Sequence, residues 1–284
     1  MTPAQLIAQV PRLPAPSPGV LRLVTLLANE TADGHEIFDA VRQDALLSAK
    51  LLRLCNSAAS GRSTPAASVD QAIMFLGQDE VRRLITALGV AGNLSPAMPG
   101  YVIGSGELWR HSLLTAHVAA ALTKEVSGQH LDPSVAYTAG LMHDIGKLVL
   151  SFALTEEHRK MVLQRLEQDR LTLVEAERAE LGTDHAEVGA CLLQSWQLPE
   201  VLIEAVANHH QPVSEPTLKL SAVVHVADLL ALEAGCAPGI GSFAKRADAA
   251  ATAALGITDS GAEDWVLRAM DLLVYVQTLE KASC

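Results

Sequence analysis

The chain has 284 residues, of which 49% are hydrophobic and 19% are charged, and its net charge is −11. This balance is that of a globular protein with a large buried core. The acidic charge argues against a nucleic-acid surface, which would need clustered lysine and arginine. No apolar run approaches the ~18 residues of a membrane span, and no signal peptide begins the chain. We therefore expect a cytoplasmic protein with neither a membrane nor a nucleic acid as partner.

Apolar residues recur at helical spacing along most of the chain, and no segment alternates as a strand would. Aromatic residues make up only 4%, so leucine, valine and alanine must fill the core. The proline-rich stretch Arg12–Pro18 is expected to be extended. Helices are predicted over Gly19–Leu27, Ile37–Leu54 with a break near Asp44, Ser68–Leu76, Glu80–Val90, Glu107–Val126, Glu156–Leu166, Thr172–Leu181, Asp184–Trp196, Pro199–His209, Thr217–Leu232, Ala247–Leu255 and Glu263–Leu279. The segment Ser134–Leu150 carries the His143-Asp144 pair.

The segment Ala91–Gly106 is rich in glycine and proline, which is typical of a boundary between helical units. It divides the chain into an N-terminal helical subdomain, residues 1–95, and a larger helical subdomain, residues 96–284. Two basic pairs, Arg82-Arg83 and Lys245-Arg246, are interpreted as solvated helix faces.

His143 and Asp144 lie side by side between two apolar runs, where polar groups need partners and metal ions are among the best. The alternative is a helix end with a cap. Asp228 would be a costly lone carboxylate in an apolar helix. The candidate metal ligands are Glu107, His111, His143, Asp144, His185, His209, His210 and Asp228. Imidazole nitrogen with carboxylate oxygen suits iron, manganese, zinc or nickel better than magnesium or calcium.

The segment Gly140-Leu-Met-His-Asp-Ile-Gly-Lys147 resembles the signature of HD-superfamily metal phosphohydrolases. Three earlier stretches resemble the HDOD family of bacterial signalling domains: Leu13-Pro-Ala-Pro16, Ala49-Lys-Leu-Leu-Arg-Leu-Cys-Asn-Ser-Ala58 and Ser68-Val-Asp-Gln-Ala-Ile-Met-Phe-Leu-Gly77. The resemblance extends from about Leu13 to Leu230. It implies an all-α fold, in which an N-terminal HDOD subdomain packs on a helical HD-type subdomain, and a role in signal transduction.

The ligand candidates also resemble those of the HD-GYP branch of the superfamily. That resemblance implies a first ion at His111, His143, Asp144 and Asp228, and a second at Asp144, His185, His209 and His210, with Asp144 as the bridge. Glu107 holds the place of a ligand to a third ion. The segment Gln211–Thr217 contains no glycine or tyrosine, which argues against cyclic di-GMP as substrate.

Two ions so placed would activate a hydroxide and neutralise a phosphoryl oxygen. Asp144 and Lys147 are then the expected catalytic residues, with the Lys147 ammonium holding the phosphate. The alternative role for Lys147 is a cation at the C-terminal end of a helix.

Two functions remain open at this point. One is a metal-dependent phosphodiesterase or other phosphohydrolase that acts on a nucleotide or a small phosphate ester. The other is a signalling or protein-interaction module without catalysis, in which the metal is structural and the N-terminal helices bind a signalling protein.

Overall fold

The structure is a computed structural model, and it describes residues 2–10, 21, 24–26, 34–43, 45–56, 66–125, 131–212 and 220–283. Within these ranges the chain is all helices and turns, apart from one isolated bridge between Met98 and Ile103. The all-α prediction is confirmed. The same ranges contain no helix that is both long enough and apolar enough to cross a membrane.

The helices with described bounds are numbered in chain order. They are α1 (Pro3–Gln9), α2 (Gly34–Gln43), α3 (Ala45–Cys55), α4 (Val69–Leu76), α5 (Gln78–Leu94), α6 (Glu107–Glu125), α7 (Pro133–Met142), α8 (Gly146–Ala153), α9 (Glu156–Gln168), α10 (Leu173–Leu181), α11 (His185–Ser195), α12 (Glu200–Ala207), α13 (Leu220–Glu233), α14 (Ala249–Ala254) and α15 (Asp259–Ser283). A short 3₁₀ helix covers Pro99–Tyr101.

Helix α1 has no counterpart in the sequence prediction. Its start carries a capping box, in which Thr2 Oγ1 accepts from the Gln5 amide and the Gln5 side chain accepts from the Thr2 amide. Leu6 is buried, and the helix packs against α8 and α11. The expected extended segment Arg12–Pro18 and most of the expected helix Gly19–Leu27 lie outside the described residues.

Helix α6 is the central scaffold of the part of the chain that holds the ligand candidates. Its side chains from Leu108 to Ala120 are almost all buried, and it packs against α7, α13 and α15. A Cβ on Gly140 of α7 would lie 2.9 Å from the Ala116 Cα atom, so the backbones of α6 and α7 are in close contact. Side chains that leave α6, α13 and the end of α7 therefore start from rigidly packed helices.

The signature segment Ser134–Leu150 forms two helices and not one. Helix α7 ends at Met142, residues His143–Ile145 form a turn, and α8 begins at Gly146. The reason is a close approach, because a Cβ on Gly146 would lie 2.6 Å from the Gly189 amide nitrogen of α11 and closer still to the His185 carbonyl oxygen. The turn redirects the chain so that α8 can pack on α11.

The predicted boundary segment contacts the connection between α13 and α14. Between α5 and α6, the Tyr101 carbonyl oxygen accepts from the Ile240 amide at 2.9 Å, and the Tyr101 ring is buried. Val102, the next residue, has a φ of 55°, a left-handed conformation that is unusual for a β-branched side chain. The division of the chain at residues 95 and 96 stays a prediction.

Gly146→Ala should destabilise the fold, because the added methyl group meets backbone atoms that cannot move aside as a side chain could. Overpacking of this kind costs about 1–3 kcal/mol or more. Gly92→Ala is the matched control, since its Cβ would meet nothing within 4 Å and alanine favours a helix. Urea unfolding of both variants checks this, and equal midpoints would contradict the close approach.

A second prediction concerns His117 of α6, which is buried between the rings of two tyrosines from other helices. Its ring centroid lies 5.1 Å from that of Tyr137 and 5.4 Å from that of Tyr275. Burial lowers the pKa of His117 from 6.5 to about 4. The unfolded chain therefore binds the proton first, and this histidine makes the folded state less stable as the pH falls from about 6.5 toward 4.

His117→Leu should remove that contribution. Between pH 7 and pH 5 the free energy of unfolding should fall by about 2 kcal/mol less in the variant than in the wild type. Urea unfolding at the two pH values measures this difference. The same fall in both proteins would mean that His117 is as easily protonated in the fold as in the unfolded chain.

Candidate metal centre

The structure brings His111, His143 and Asp228 together in a first group of ligand atoms, all within 4.8 Å of one another. His111 comes from α6, His143 from the turn after α7, and Asp228 from α13. The Asp228 Oδ1 atom lies 3.1 Å from the His111 Nε2 atom and 3.8 Å from the His143 Nε2 atom. All three side chains are buried.

A second group consists of Asp144, His185, His209 and His210, again with ligand atoms within 4.8 Å of one another. The Asp144 Oδ1 atom lies 3.3 Å from the His185 Nε2 atom and 3.9 Å from the His209 Nε2 atom. His185 is the first residue of α11, whereas His209 and His210 follow the end of α12. These three segments converge because α11 packs on both α8 and α12.

Asp144 lies between the two groups and faces both. Its Oδ1 atom points at the second group, while its Oδ2 atom lies 3.4 Å from the His143 Nε2 atom and 3.7 Å from the His111 Nε2 atom. One carboxylate therefore presents a different oxygen atom to each set of imidazoles.

Backbone carbonyl groups hold three of the imidazoles in a single tautomer. The Nδ1 atoms of His111, His143 and His209 lie 2.8, 2.7 and 2.7 Å from the carbonyl oxygens of Cys236, Gly140 and Val206, respectively. A carbonyl oxygen can only accept, so each Nδ1 carries a proton, and in the neutral ring it is Nε2 that presents the lone pair.

Among the described residues, these Nε2 atoms have no hydrogen-bond partner. The Nε2 atoms of His111, His143 and His209 are buried without a hydrogen bond, as are the Oδ1 atoms of Asp144 and Asp228. Buried polar atoms are normally paired, and a cluster of unpaired acceptors is what a cation would satisfy. Neutral imidazole and carboxylate are donors that fit a divalent transition metal.

His185 is held differently from the other three. Its Nδ1 atom lies 2.7 Å from the Oε2 atom of Glu177, a fully buried carboxylate on α10. The other oxygen of Glu177 accepts from the Tyr101 hydroxyl at 2.6 Å. Burial disfavours the charged ring, but Glu177 and Asp144 outweigh it and raise the pKa of His185 to about 9.

The comparisons with known proteins match most of the chain to a family. A family model described as HDOD domain matches residues 13–212. The chain belongs to the HDOD domain family. The resemblance inferred from the sequence motifs is therefore confirmed.

Two curated relatives match parts of this HDOD protein. An uncharacterized protein of Treponema pallidum is 28% identical over 218 residues, which cover 73% of this chain and 39% of that protein. Ribonuclease Y of Thermus thermophilus is 31% identical over 121 residues, which cover 43% of this chain and 16% of the relative. The chain thus matches well under half of the length of either relative.

Solved structures share the fold of this HDOD protein. An HDOD domain protein of unknown function from Geobacter sulfurreducens superposes with a TM-score of 0.74 at 23% identity, covering 99% of this chain and 96% of that one. A protein of Shewanella amazonensis, named as a candidate phosphohydrolase, superposes with a TM-score of 0.71 at 24% identity, covering 99% and 98%. At these identities the likeness supports the all-helical fold alone.

Two lysines neutralise the carboxylates of the HDOD protein's centre. The Lys147 Nζ atom lies 2.6 Å from the Asp144 Oδ2 atom, and Lys245 forms an ion pair with Asp228 Oδ2. Burial opposes the charged form of each aspartate. The lysines, helped by the histidines, outweigh burial and hold the pKa of Asp144 and Asp228 well below the usual range.

The positions of the two lysines contradict one alternative role for Lys147 and the solvated position expected for Lys245. Lys147 is the second residue of α8, so its alternative role as a cation at the C-terminal end of a helix is wrong. Lys245 was expected on a solvated face, but its side chain is only 7% exposed and lies outside any helix. The neighbouring Arg246 is solvated as expected, and it pairs with Glu175 at 2.9 Å.

The remaining histidines of the second group are uncharged, as ligands must be. Burial, reinforced by the neighbouring histidines, lowers the pKa of both His209 and His210 well below the ordinary value. His225, one helical turn before Asp228 on α13, is not in either group but is hydrogen-bonded to the main chain beside them. Its Nδ1 atom donates to the His209 carbonyl oxygen at 2.8 Å, and its Nε2 atom accepts from the Asp248 amide.

Glu107 is brought into neither group. Its Oε2 atom accepts from the Gly104 amide at 2.8 Å, just before α6 begins. It lies in the first turn of the helix, where a carboxylate is favoured by the exposed amide groups. Its role as ligand to a third ion stays a prediction.

Sequence reasoning missed Glu177, Tyr101 and Lys245. Glu177 is one of several acidic residues on α10, and Tyr101 belongs to a segment that was interpreted as a boundary. The only local signal was for Tyr101, a large aromatic residue in a stretch otherwise rich in glycine and proline.

The two buried ion pairs predict that substitution of either buried lysine destabilises the fold, whereas substitution of an exposed lysine does not. In chelator-treated protein, Lys147→Ala and Lys245→Ala should each lower the free energy of unfolding by about 3–5 kcal/mol, because each leaves a buried carboxylate without its cation. Lys160→Ala is the control, since that lysine is 73% exposed and its substitution should change little. Urea unfolding checks this, and two unchanged midpoints would mean that the lysines do not neutralise the aspartates.

Proposed function

We propose that the chain is a cytoplasmic signalling domain that holds two divalent transition-metal ions and hydrolyses a phosphate ester. The observation that carries the proposal is Asp144, whose two oxygen atoms face two separate groups of imidazoles. A carboxylate in that position is suited to bridge two cations. The ions would be iron, manganese, zinc or nickel, given the donor atoms.

The proposed ligands follow from the two groups. The first ion would be held by His111, His143, Asp144 and Asp228, and the second by Asp144, His185, His209 and His210. Such a pair supplies an activated water nucleophile at neutral pH and neutralises the oxygens of a phosphoryl group.

Two of the chain's own cations would act on the substrate. Lys147 contacts Asp144 and so points into the centre, where its ammonium could hold a phosphoryl oxygen as negative charge develops. Lys245 borders a cavity of about 140 Å³ beside His210, together with Thr172, Glu175 and Arg246. That cavity is smaller than a typical ligand pocket of about 300–1,000 Å³. It fits a phosphoryl group, with the rest of a small ester or nucleotide outside.

The names of similar proteins support this class of reaction. The Shewanella amazonensis structure is named as a candidate phosphohydrolase, and ribonuclease Y is named for cleaving RNA, itself a phosphodiester. A long nucleic acid is disfavoured as substrate of this chain by its net charge of −11. We therefore favour a small phosphate ester.

A second candidate is a signalling or interaction module in which the metal is structural. It is favoured by the burial of the centre, since His143, Asp144, His185 and His209 are each 0% exposed. In that case the N-terminal helices would bind a signalling protein, and metal would be present without turnover.

The test is metal content and turnover of the same preparations. Protein purified without chelator should contain one to two equivalents of transition metal by elemental analysis. With manganese added, it should hydrolyse at least one member of a panel of nucleotides, dinucleotides, short RNA and bis(p-nitrophenyl) phosphate. A folded protein that neither contains nor takes up metal would overturn the proposal, and metal without turnover would favour the second candidate.

Asp144→Ala should lower metal content more than His185→Ala does, because Asp144 alone is assigned to both ions. Turnover by Asp144→Ala should fall by at least about a hundredfold, the usual cost of losing one stabilising group in the transition state. His158→Ala, on α9 and in neither group, is the control. Equal metal content in the Asp144 and His185 variants would contradict the bridge.

A further inference from the structure

We propose that Glu177 is a positioning residue that sets the affinity of the second group for its ion, and that Tyr101 fixes Glu177 in turn. This inference rests on the two-ion proposal and adds to it two residues that are not ligands. The observation behind it is the difference between the hydrogen bond of His185 and those of the other imidazoles.

A carboxylate is a stronger hydrogen-bond acceptor than a carbonyl group. His111, His143 and His209 each bond a neutral backbone oxygen through Nδ1, whereas His185 bonds the charged Oε2 atom of Glu177 at 2.7 Å. Such a carboxylate fixes the ring and makes the opposite nitrogen a better donor to a metal. Of these four rings, His185 is therefore the one whose Nε2 atom becomes the strongest electron-pair donor.

The same oxygen of Glu177 also fixes the backbone of His185. Oε2 accepts from the His185 amide at 2.9 Å, so one atom holds both the main chain and the ring of this residue. The cap of α11 is a different residue, because the Asp184 side chain accepts from the Glu187 amide. Glu177 is thus not required to begin the helix, although it does satisfy one of its first amides.

Burying Glu177 is costly, which makes its position informative. Its side chain is fully buried, and its described hydrogen bonds come from the Tyr101 hydroxyl, the His185 amide and the His185 ring, none of which is a lysine or arginine. A buried carboxylate without a lysine or arginine as partner is expensive unless such hydrogen bonds hold it. The positive charge of an ion bound at His185 would offset this cost.

Tyr101 connects this pair to the segment between α5 and α6. Its hydroxyl donates to Glu177 Oε1 at 2.6 Å, and its carbonyl oxygen accepts from the Ile240 amide. The left-handed φ of 55° at Val102 shows that the chain adopts an unfavourable backbone conformation directly beside Tyr101. Through the hydrogen bonds from Tyr101 to Glu177 and from Glu177 to His185, this connecting segment is linked to the second group.

The experiment is a calorimetric titration of chelator-treated, dialysed full-length chain with Mn²⁺, using wild type, Glu177→Gln, Tyr101→Phe and Glu187→Gln. Glu187 is an exposed carboxylate two residues after His185 and serves as the matched control. The readout is the ratio of the two Mn²⁺ association constants, which a general loss of stability would not change selectively.

We expect two binding events in the wild type and in Glu187→Gln. In Glu177→Gln one association constant, that of the second group, should fall about 10–100-fold, the usual effect of losing such a partner. The other association constant should be unchanged. This affected step is called the second event. Tyr101→Phe should weaken the second event in the same direction by a smaller factor, because the carboxylate remains but loses one of its hydrogen bonds.

Unchanged association constants in Glu177→Gln would overturn the inference and leave the two-ion proposal intact. If circular dichroism shows that Glu177→Gln does not fold, Tyr101→Phe decides, and an unchanged second event in that variant overturns the inference. Equal weakening of both events in either variant would also overturn it, because that result indicates a general structural role. A wild type that binds fewer than two ions would contradict the two-ion proposal and this inference together.

Discussion

The charge of Asp144 is the constraint on which the centre depends. A carboxylate that is 0% exposed loses its hydration, and such a loss costs several kcal/mol or more unless charges or hydrogen bonds replace the water. Lys147 supplies an ammonium at 2.6 Å, and imidazoles surround the remaining lone pairs. Because one aspartate needs partners on both sides, helices from distant parts of the chain must meet around it.

Backbone geometry is adjusted to meet that need. The turn at His143–Ile145 interrupts what would otherwise be one apolar helix and lets Asp144 face both groups at once. Gly146 then allows α8 to approach the start of α11, which brings His185 within reach of the Asp144 Oδ1 atom. A long continuous helix would point the residues after His143 along the α7 axis, away from α11.

The sequence predicted the ligand candidates in two ways: His143, Asp144 and Asp228 show a local conflict, and the other histidines match the positions that the HD-superfamily resemblance implies. Histidine and aspartate in apolar surroundings, such as Asp228 within Val223–Leu230, are costly without a partner and so attract notice. Glu177 shows no such conflict, because Glu175 and Glu180 on the same helix are solvated or ion-paired and nothing in the sequence separates the three. Lys245 was misjudged for a similar reason, since its neighbour Arg246 is exposed. The break of the signature helix depends on a contact with Gly189, 43 positions away, which no local pattern contains.

The buried lysines also bear on how such a centre is assembled. Lys147 and Lys245 each pair with one of the two aspartates, so the centre holds two positively charged side chains beside its two carboxylates. On the two-ion proposal, uptake is then an exchange in which an incoming ion competes with an ammonium group for a carboxylate already in place.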